Sequence, residues 1–141
     1  RKPVVTTRKI PLAQLEEKHG LSKGELITRI SIPTENWNLG ICRKTNPSME
    51  KSRVLVFAAL ARVEKGVLSE WRMAFSNGFD AVLRDRDLEV DLTGRPLPFG
   101  EKEYETLDDS IDRLTSVWVN REYERKTAQI LARDFLNSVE K

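Results

Sequence analysis

The sequence predicts an α+β fold, a two-layer sandwich in which an antiparallel sheet of three or four strands is followed by three helices. Two observations lead to this prediction. Before residue 80, apolar residues alternate with period two or form one short continuous run, which is typical of strands. After residue 80 they recur at spacings of three and four, which is typical of helices. Strands and helices that are segregated along a chain favour separate layers.

The chain begins with a leading segment and a first candidate strand. Residues 1–24 are expected to form an arm that contains at most a short helix. The first strand is predicted over residues 25–33, with Leu26 on one face and Ile27 on the other. Pro33 would end this strand, because proline cannot donate a hydrogen bond to a ladder.

Three further segments read as the remaining strands. Residues 38–45 are a candidate strand, and residues 53–63 are the most apolar stretch of the chain. Such a run fits either a strand covered on both faces or a buried helix. Its β-branched start and the turn at residues 64–66 favour a strand in a hairpin. The return strand then alternates cleanly, with Trp71 and Phe75 on its apolar face.

Three helices are predicted in the second half of the chain. The first covers residues 87–92 and is closed by Gly94, and the second covers roughly residues 101–114. The third covers residues 120–139, with Asn120 as its N-cap. Its apolar stripe is predicted to consist of Tyr123, Ile130, Leu131, Phe135, Leu136 and Val139.

Composition excludes several classes of protein. The 141 residues contain one cysteine and one histidine, which excludes a disulfide framework and a site built on a pair of histidines, so no metal site is expected. No run of 18 apolar residues is present, so we expect no membrane span and a cytoplasmic globular domain. The charge is uneven: residues 1–66 carry a net charge of +7 and residues 67–141 a net charge of −5. This asymmetry fits an ordinary solvated surface or a basic half that faces an acidic partner.

No catalytic set emerges from the residues, so no catalytic residue is predicted. His19 has no serine or cysteine partner in sequence and is expected on an exposed turn. Cys42 lies within a predicted strand, where a free cysteine usually behaves as a small buried hydrophobic residue. The carboxylates at 85, 87, 108 and 109 lie among other charges, unlike a catalytic acid held in an apolar pocket. The glycines are dispersed and form no phosphate-binding loop.

Three stretches, taken in order, resemble one family. Residues 24–33 read Gly-Glu-Leu-Ile-Thr, then Ile30, Ile32 and Pro33, within a longer similar passage over residues 8–33. The run from Val54 to Leu60 and its return strand resemble the central hairpin of the same family, and residues 121–136 resemble its terminal helix. Together they identify the chain as similar to the C-terminal domain of the FAD-binding (medium) subunit of molybdenum hydroxylases, the family of xanthine dehydrogenase and carbon monoxide dehydrogenase.

This resemblance implies a domain organisation. The C-terminal domain of the carbon monoxide dehydrogenase flavoprotein is itself an α+β sandwich of strands followed by helices, in agreement with the pattern of residues. The glycine-rich loops that hold the FAD phosphates in this family lie upstream of that domain. We therefore expect residues 1–24 to be an arm trailing from an upstream FAD-binding domain, and residues 25–141 to be the C-terminal domain, inactive in isolation.

The resemblance also implies a role in electron transfer. Electrons would pass from molybdenum through [2Fe-2S] clusters to FAD, with molybdopterin and the clusters carried by a molybdenum subunit and an iron–sulfur subunit that would be the partners. The flavin-edge candidates are Leu26, Ile27, Arg43 and Lys44. A cation near the N1–C2 carbonyl region of the ring would stabilise the reduced, anionic flavin. No binding to nucleic acid or to a membrane is expected.

Two other functions remain open on the residues alone. The chain could be a non-catalytic interaction or dimerisation module with a similar sandwich and no flavin. It could also bind nucleic acid through its basic half, although Arg1, Lys2, Arg8 and Lys9 flank no aromatic residue of the kind that stacks on bases.

Overall fold

The computed structural model describes residues 6–11, 20–32, 37–46, 54–78 and 82–140. Contacts divide the chain into two units, Arg1–Thr34 and Glu35–Lys141. All strands and helices found in the described residues belong to the second unit.

The second unit begins with an antiparallel sheet of three strands in the order β1-β2-β3. Strand β1 is Leu39–Thr45, β2 is Leu55–Glu64 and β3 is Val67–Ser76. A two-residue turn joins β2 to β3, and both of its residues, Lys65 (φ 53°) and Gly66 (φ 75°), have positive φ angles. Turns with positive φ angles match the right-handed twist of the flanking strands. Because β2 and β3 pair antiparallel on either side of this turn, the predicted hairpin is confirmed.

Three helices follow the sheet. Helix α1 is Arg86–Leu92, α2 is Glu101–Thr115 and α3 is Glu122–Val139. The predicted α+β order of three antiparallel strands followed by three helices is thus confirmed. Gly94 lies just beyond α1 with a φ angle of 84°, a left-handed conformation that glycine adopts without steric cost.

The core lies between one face of the sheet and the helices. Phe57 on β2 contacts the ring of Phe75 on β3 with centroids 5.1 Å apart, and the ring of Phe135 on α3 at 6.1 Å. The predicted core positions Trp71, Leu107 and Ile111 are completely buried. The other large core side chains are Leu55, Leu68, Met73, Leu88, Leu92, Phe99, Trp118 and Leu136.

The first predicted strand is wrong for the described residues 25–32, which belong to no strand. Leu26, Ile30 and Ile32 are exposed instead of buried. Alternation of apolar residues shows which side chains would share a face, but a strand also needs a neighbouring strand to satisfy its backbone hydrogen bonds. Sequence pattern alone does not supply that neighbour.

The start and the buried stripe of α3 also differ from the prediction. Arg121, not Asn120, is the N-cap, because Asn120 has a φ angle of 58° and turns the chain before the helix. Tyr123 is 58% exposed and Ile130 is also exposed, whereas Glu124 is buried. The buried face also contains Ala128, Ala132, Phe135 and Leu136. The small alanines let α3 lie close to its neighbours, a role that a search for large apolar residues misses.

Candidate functional site

In the first unit, a short polar network precedes the flavin-edge candidates Leu26 and Ile27. Arg8 Nη2 donates to Glu25 Oε2 at 2.6 Å, and the backbone N–H of Ser22 donates to the same oxygen at 2.7 Å. The hydrogen bond from Arg8, and next the one from the Ser22 backbone, hold the pKa of Glu25 below its usual value. Glu25 therefore stays ionised and ties residues 20–25 to residue 8.

Leu26 and Ile27 follow Glu25 directly. Leu26 is 82% exposed and Ile27 is 50% exposed. Large apolar side chains exposed at neighbouring positions on chain without secondary structure are free to contact another apolar surface. This exposure is compatible with the flavin-edge prediction for both residues, which stays a prediction.

In the second unit, the other two candidates lie near the end of β1, just before its last residue Thr45. Arg43 pairs with Phe57 on β2, and Lys44 pairs with Val56. Because neighbouring side chains of a strand point to opposite faces, Arg43 lies on the helix-covered side of the sheet and Lys44 on the other side. The two cations that are adjacent in sequence are therefore separated by the sheet.

Arg43 and Lys44 are both exposed, and neither forms an ion pair with another described residue. Each is thus an available positive charge at the end of an edge strand. Leu26 and Ile27 belong to the first unit and Arg43 and Lys44 to the second, so the four candidates do not form one cluster within a unit. The loop at residues 48–53, next to β1 in sequence, lies outside the described residues.

A groove that the sequence did not predict runs beside α1. Arg72 on β3, Arg84 and Arg86 line it together with Glu70 and Glu89, and its volume is about 640 Å³. Arg72 bonds to Glu70 and Arg84 to Glu89. The groove combines three guanidinium groups with two carboxylates, and the acids come from a strand and a helix that only the fold brings together.

Glu89 anchors this groove to the core. Its Oε1 accepts the backbone N–H of Met73 at 3.1 Å, and its backbone carbonyl accepts Trp71 Nε1 at 2.9 Å. The hydrogen bonds to Glu89 also raise the pKa of Arg84 above its usual value, despite opposing burial. Glu89 is therefore a structural carboxylate that joins α1 to β3.

Several buried polar atoms without a hydrogen-bond partner belong to residues around the start of α3. Both carboxylate oxygens of Glu124 are buried and have no hydrogen-bond partner. Trp118 Nε1, Arg121 Nη1 and Arg125 Nε are also buried without a partner. A sequence signal could have located Glu124. It lies four residues before Ala128, which is itself four residues before Ala132, and this spacing puts Glu124 on the buried face of α3.

The remaining sequence candidates have structural roles or lie elsewhere. His19 falls outside the described residues. The expectation that Cys42 is buried is wrong, because its position on β1 directs it to the side of the sheet that faces away from the helices, where it is exposed. Asp85 is the N-cap of α1 and accepts the backbone N–H groups of residues 87 and 88. Asp108 forms an ion pair with Arg133.

Within the described ranges, no three histidine, cysteine or acidic side chains cluster in the manner of a metal site. None of the helices in those ranges combines the length and the apolar character needed to cross a membrane. Searches against protein-family models, curated proteins and solved structures returned no match to this chain. No activity is therefore carried over from a relative.

Proposed function

We propose that the chain is the C-terminal domain of the FAD-binding subunit of a molybdenum hydroxylase and serves in electron transfer. In this role it covers one edge of the flavin and contacts the neighbouring subunits, while substrate is oxidised on the molybdenum subunit. The support comes from one coincidence. The sequence resemblance implies an α+β domain of strands followed by helices, and the second unit has that order.

The residues present suit the ring edge of FAD better than its phosphates. Reduced flavin carries negative charge near its N1–C2 carbonyl region, and Lys44 and Arg43 are exposed cations without a described ion-pair partner. The full sequence contains no glycine-rich phosphate loop. When bound, FAD would accept electrons from the iron–sulfur clusters and pass them to an acceptor. The chain's own part is to place charge and apolar surface beside the ring.

The test begins with the native polypeptide that contains residues 137–141, purified from its source cells. Its intact mass and the flavin released on denaturation are measured together. We expect a mass above 16.2 kDa by at least one further domain of about 100–200 residues, together with bound FAD. A mass near 16.2 kDa and no flavin would contradict the proposal and favour the interaction module.

A titration of the 141-residue chain with FAD provides a second readout. Because the chain lacks a phosphate-binding loop, we expect weak binding or none. Sub-micromolar affinity would show that the chain holds FAD by itself. It would contradict the proposal that an upstream domain binds the FAD phosphates while this domain contacts only the ring edge.

A further inference from the structure

The side of α3 that faces away from the core carries a regular row of exposed residues, which we call the outer stripe. Its members are Tyr123, Lys126, Ile130, Asp134 and Asn137, and all of them are exposed. They follow one another at intervals of three, four, four and three residues, so they lie along one side of the helix. This order of intervals is the same from either end, with Ile130 at its centre.

Two antiparallel copies of α3, related by a two-fold axis through Ile130, bring the members of the outer stripe together in pairs. Such an interface is isologous, so each contact occurs twice. Lys126 of each copy faces Asp134 of the other, because both residues lie four positions from Ile130, about 6 Å along the helix. Tyr123 faces Asn137 in the same way, and Ile130 packs on its own counterpart.

The charges on this side of α3 fit the antiparallel arrangement. Arg125 and Arg133, which flank the outer stripe, are already paired with aspartates of α2. Within the part of the chain that the structure describes, Lys126 and Asp134 have no ion-pair partner. The outer stripe therefore presents one unpaired cation and one unpaired anion, placed symmetrically about its centre.

The centre of the outer stripe is apolar, although it faces away from the core. Ile130 is 57% exposed, and Tyr123 is 58% exposed. A surface helix whose outer side meets only water carries charged or polar residues there. Glu122 and Ser138, exposed at the two ends of α3, also face one another across the axis, so no like charges meet. An apolar centre with a cation on one side and an anion on the other is complementary to a second copy of itself.

We propose that the outer stripe is a homodimer interface, in which α3 packs antiparallel against α3 of a second copy. The order of the charges selects this arrangement, because parallel helices would set Lys126 against Lys126 and Asp134 against Asp134. The helix axes lie about 8–10 Å apart in such packing, a distance that a lysine and an aspartate can bridge. The inference does not depend on flavin and goes beyond the proposed function.

Sedimentation equilibrium of the 141-residue chain measures its mass as the concentration is raised. One pair of 18-residue helices buries less than the about 1,200 Å² of a stable interface, so we expect a dissociation constant on the order of 100 µM. The mass should be 16.2 kDa at about 1 µM and rise towards twice that value at about 500 µM. At low micromolar concentration the chain is thus a monomer, and substitutions on the outer stripe then report on the fold of the monomer. A constant mass throughout this range would overturn the proposal.

Exchange of the two charges gives a sharper test. Lys126→Glu places an acid opposite Asp134, and Asp134→Lys places a cation opposite Lys126. Each variant alone should dimerise at least about tenfold more weakly than the unchanged chain, because like charges then face each other twice. An equimolar mixture of the two variants should recover dimerisation to within about threefold of the unchanged chain, since opposite charges meet again. A mixture that dimerises no better than the separate variants would overturn the proposal.

The apolar centre is tested with a matched pair of substitutions. Ile130→Arg places a cation on the two-fold axis, where it meets its own counterpart. We expect this variant to remain a monomer at about 500 µM with an unchanged far-UV circular dichroism spectrum, because the position is exposed. Val90→Arg is the control, since Val90 is an exposed apolar residue on α1, and this variant should dimerise like the unchanged chain. Dimerisation of Ile130→Arg, or its loss in both variants, would overturn the assignment to α3.

Discussion

The guanidinium of Arg84 donates hydrogen bonds of 2.8 and 2.6 Å to the two carboxylate oxygens of Glu89, a residue only 4% exposed. Two parallel bonds of this kind are stronger and more directional than a single contact. Since Glu89 also accepts the backbone N–H of Met73, one carboxylate joins the segment before α1, the helix itself and β3. This junction forms one wall of the arginine-lined groove.

Removal of the Glu89 carboxylate should strongly destabilise the fold. In Glu89→Ala the buried Met73 N–H loses its partner and the Arg84 guanidinium loses two bonds. We expect the free energy of unfolding to fall by about 3 kcal/mol, the lower end of the range for a broken buried pair, because Arg84 is partly exposed. Urea denaturation measures the change. Glu101→Ala, on the exposed first turn of α2, should cost no more than about 1 kcal/mol, and equal losses would contradict this account.

Asp85 gives the stability a dependence on acid pH. Burial raises the pKa of this carboxyl, but the hydrogen bonds from Ser110, the Leu88 backbone and Arg113 outweigh burial and hold the pKa below its usual value. A group with a lowered pKa in the folded state contributes stability above its unfolded pKa of about 3.9, and this contribution is lost as the pH falls through the folded value.

The corresponding prediction compares urea unfolding at pH 5 and at pH 3. Asp85→Asn should lower stability at pH 5 and reduce the further loss between the two pH values, because the titrating group is gone. Asp134→Asn, on the exposed side of α3, is the control and should keep the steeper loss of the unchanged chain. If Asp85→Asn were to show the same loss between pH 5 and pH 3 as the control, the linkage assigned to Asp85 would be wrong.

Glu124 should be a destabilising residue. It is 1% exposed and both carboxylate oxygens lack a hydrogen bond, a cost of about 1–3 kcal/mol or more for a charged group. Its position in the first turn of α3 offsets only about 0.3–1 kcal/mol through the helix dipole. We therefore expect Glu124→Met to raise the free energy of unfolding by about 1–2 kcal/mol, measured by urea denaturation. A loss of stability would show that the carboxylate has partners in solution.

The two aromatic residues Phe57 and Tyr123 test the placement of the core. Phe57 is completely buried between Phe75 and Phe135, so Phe57→Ala should cost about 3–5 kcal/mol. Tyr123 is exposed, so Tyr123→Ala should change stability by less than about 0.5 kcal/mol. Thermal and urea unfolding measure both. A comparable cost for the two variants would show that Tyr123 is buried, as the predicted apolar stripe of α3 requires.

Because the sheet separates Arg43 and Lys44, the two cations should affect the reduction potential of the flavin differently. In the intact enzyme, loss of a cation beside the reduced ring should lower the flavin reduction potential. We expect Lys44→Ala to lower it by about 20–30 mV, equivalent to about 1 kcal/mol for a two-electron couple. Because the sheet separates the two cations, at most one of them lies beside the ring, and Arg43→Ala should leave the potential unchanged when that one is Lys44. An unchanged potential in both variants would remove the two residues from the flavin site, and the reverse order would place the ring on the helix side.

The sequence by itself determined the order of the elements in the second unit. The apolar run, the clean alternation through Trp71 and Phe75 and the turn that contains Gly66 define a hairpin through local chemistry. The helices follow from spacings of three and four residues, as at Leu107 and Ile111. These signals are local, so a single chain carries them without reference to its folded neighbours.

Only the tertiary structure decided which partners those elements find. Residues 25–32 have strand-like alternation but form no strand, because a ladder needs a second chain segment beside it. Arg84 donates two hydrogen bonds to the carboxylate of Glu89 because the fold places α1 beside β3. Glu124 is buried because of how α3 packs, although glutamate is usually an exposed residue. Arg43 and Lys44 are neighbours in sequence but lie on opposite faces of the sheet, because side chains alternate across a strand. The helices pack on the face that carries Arg43.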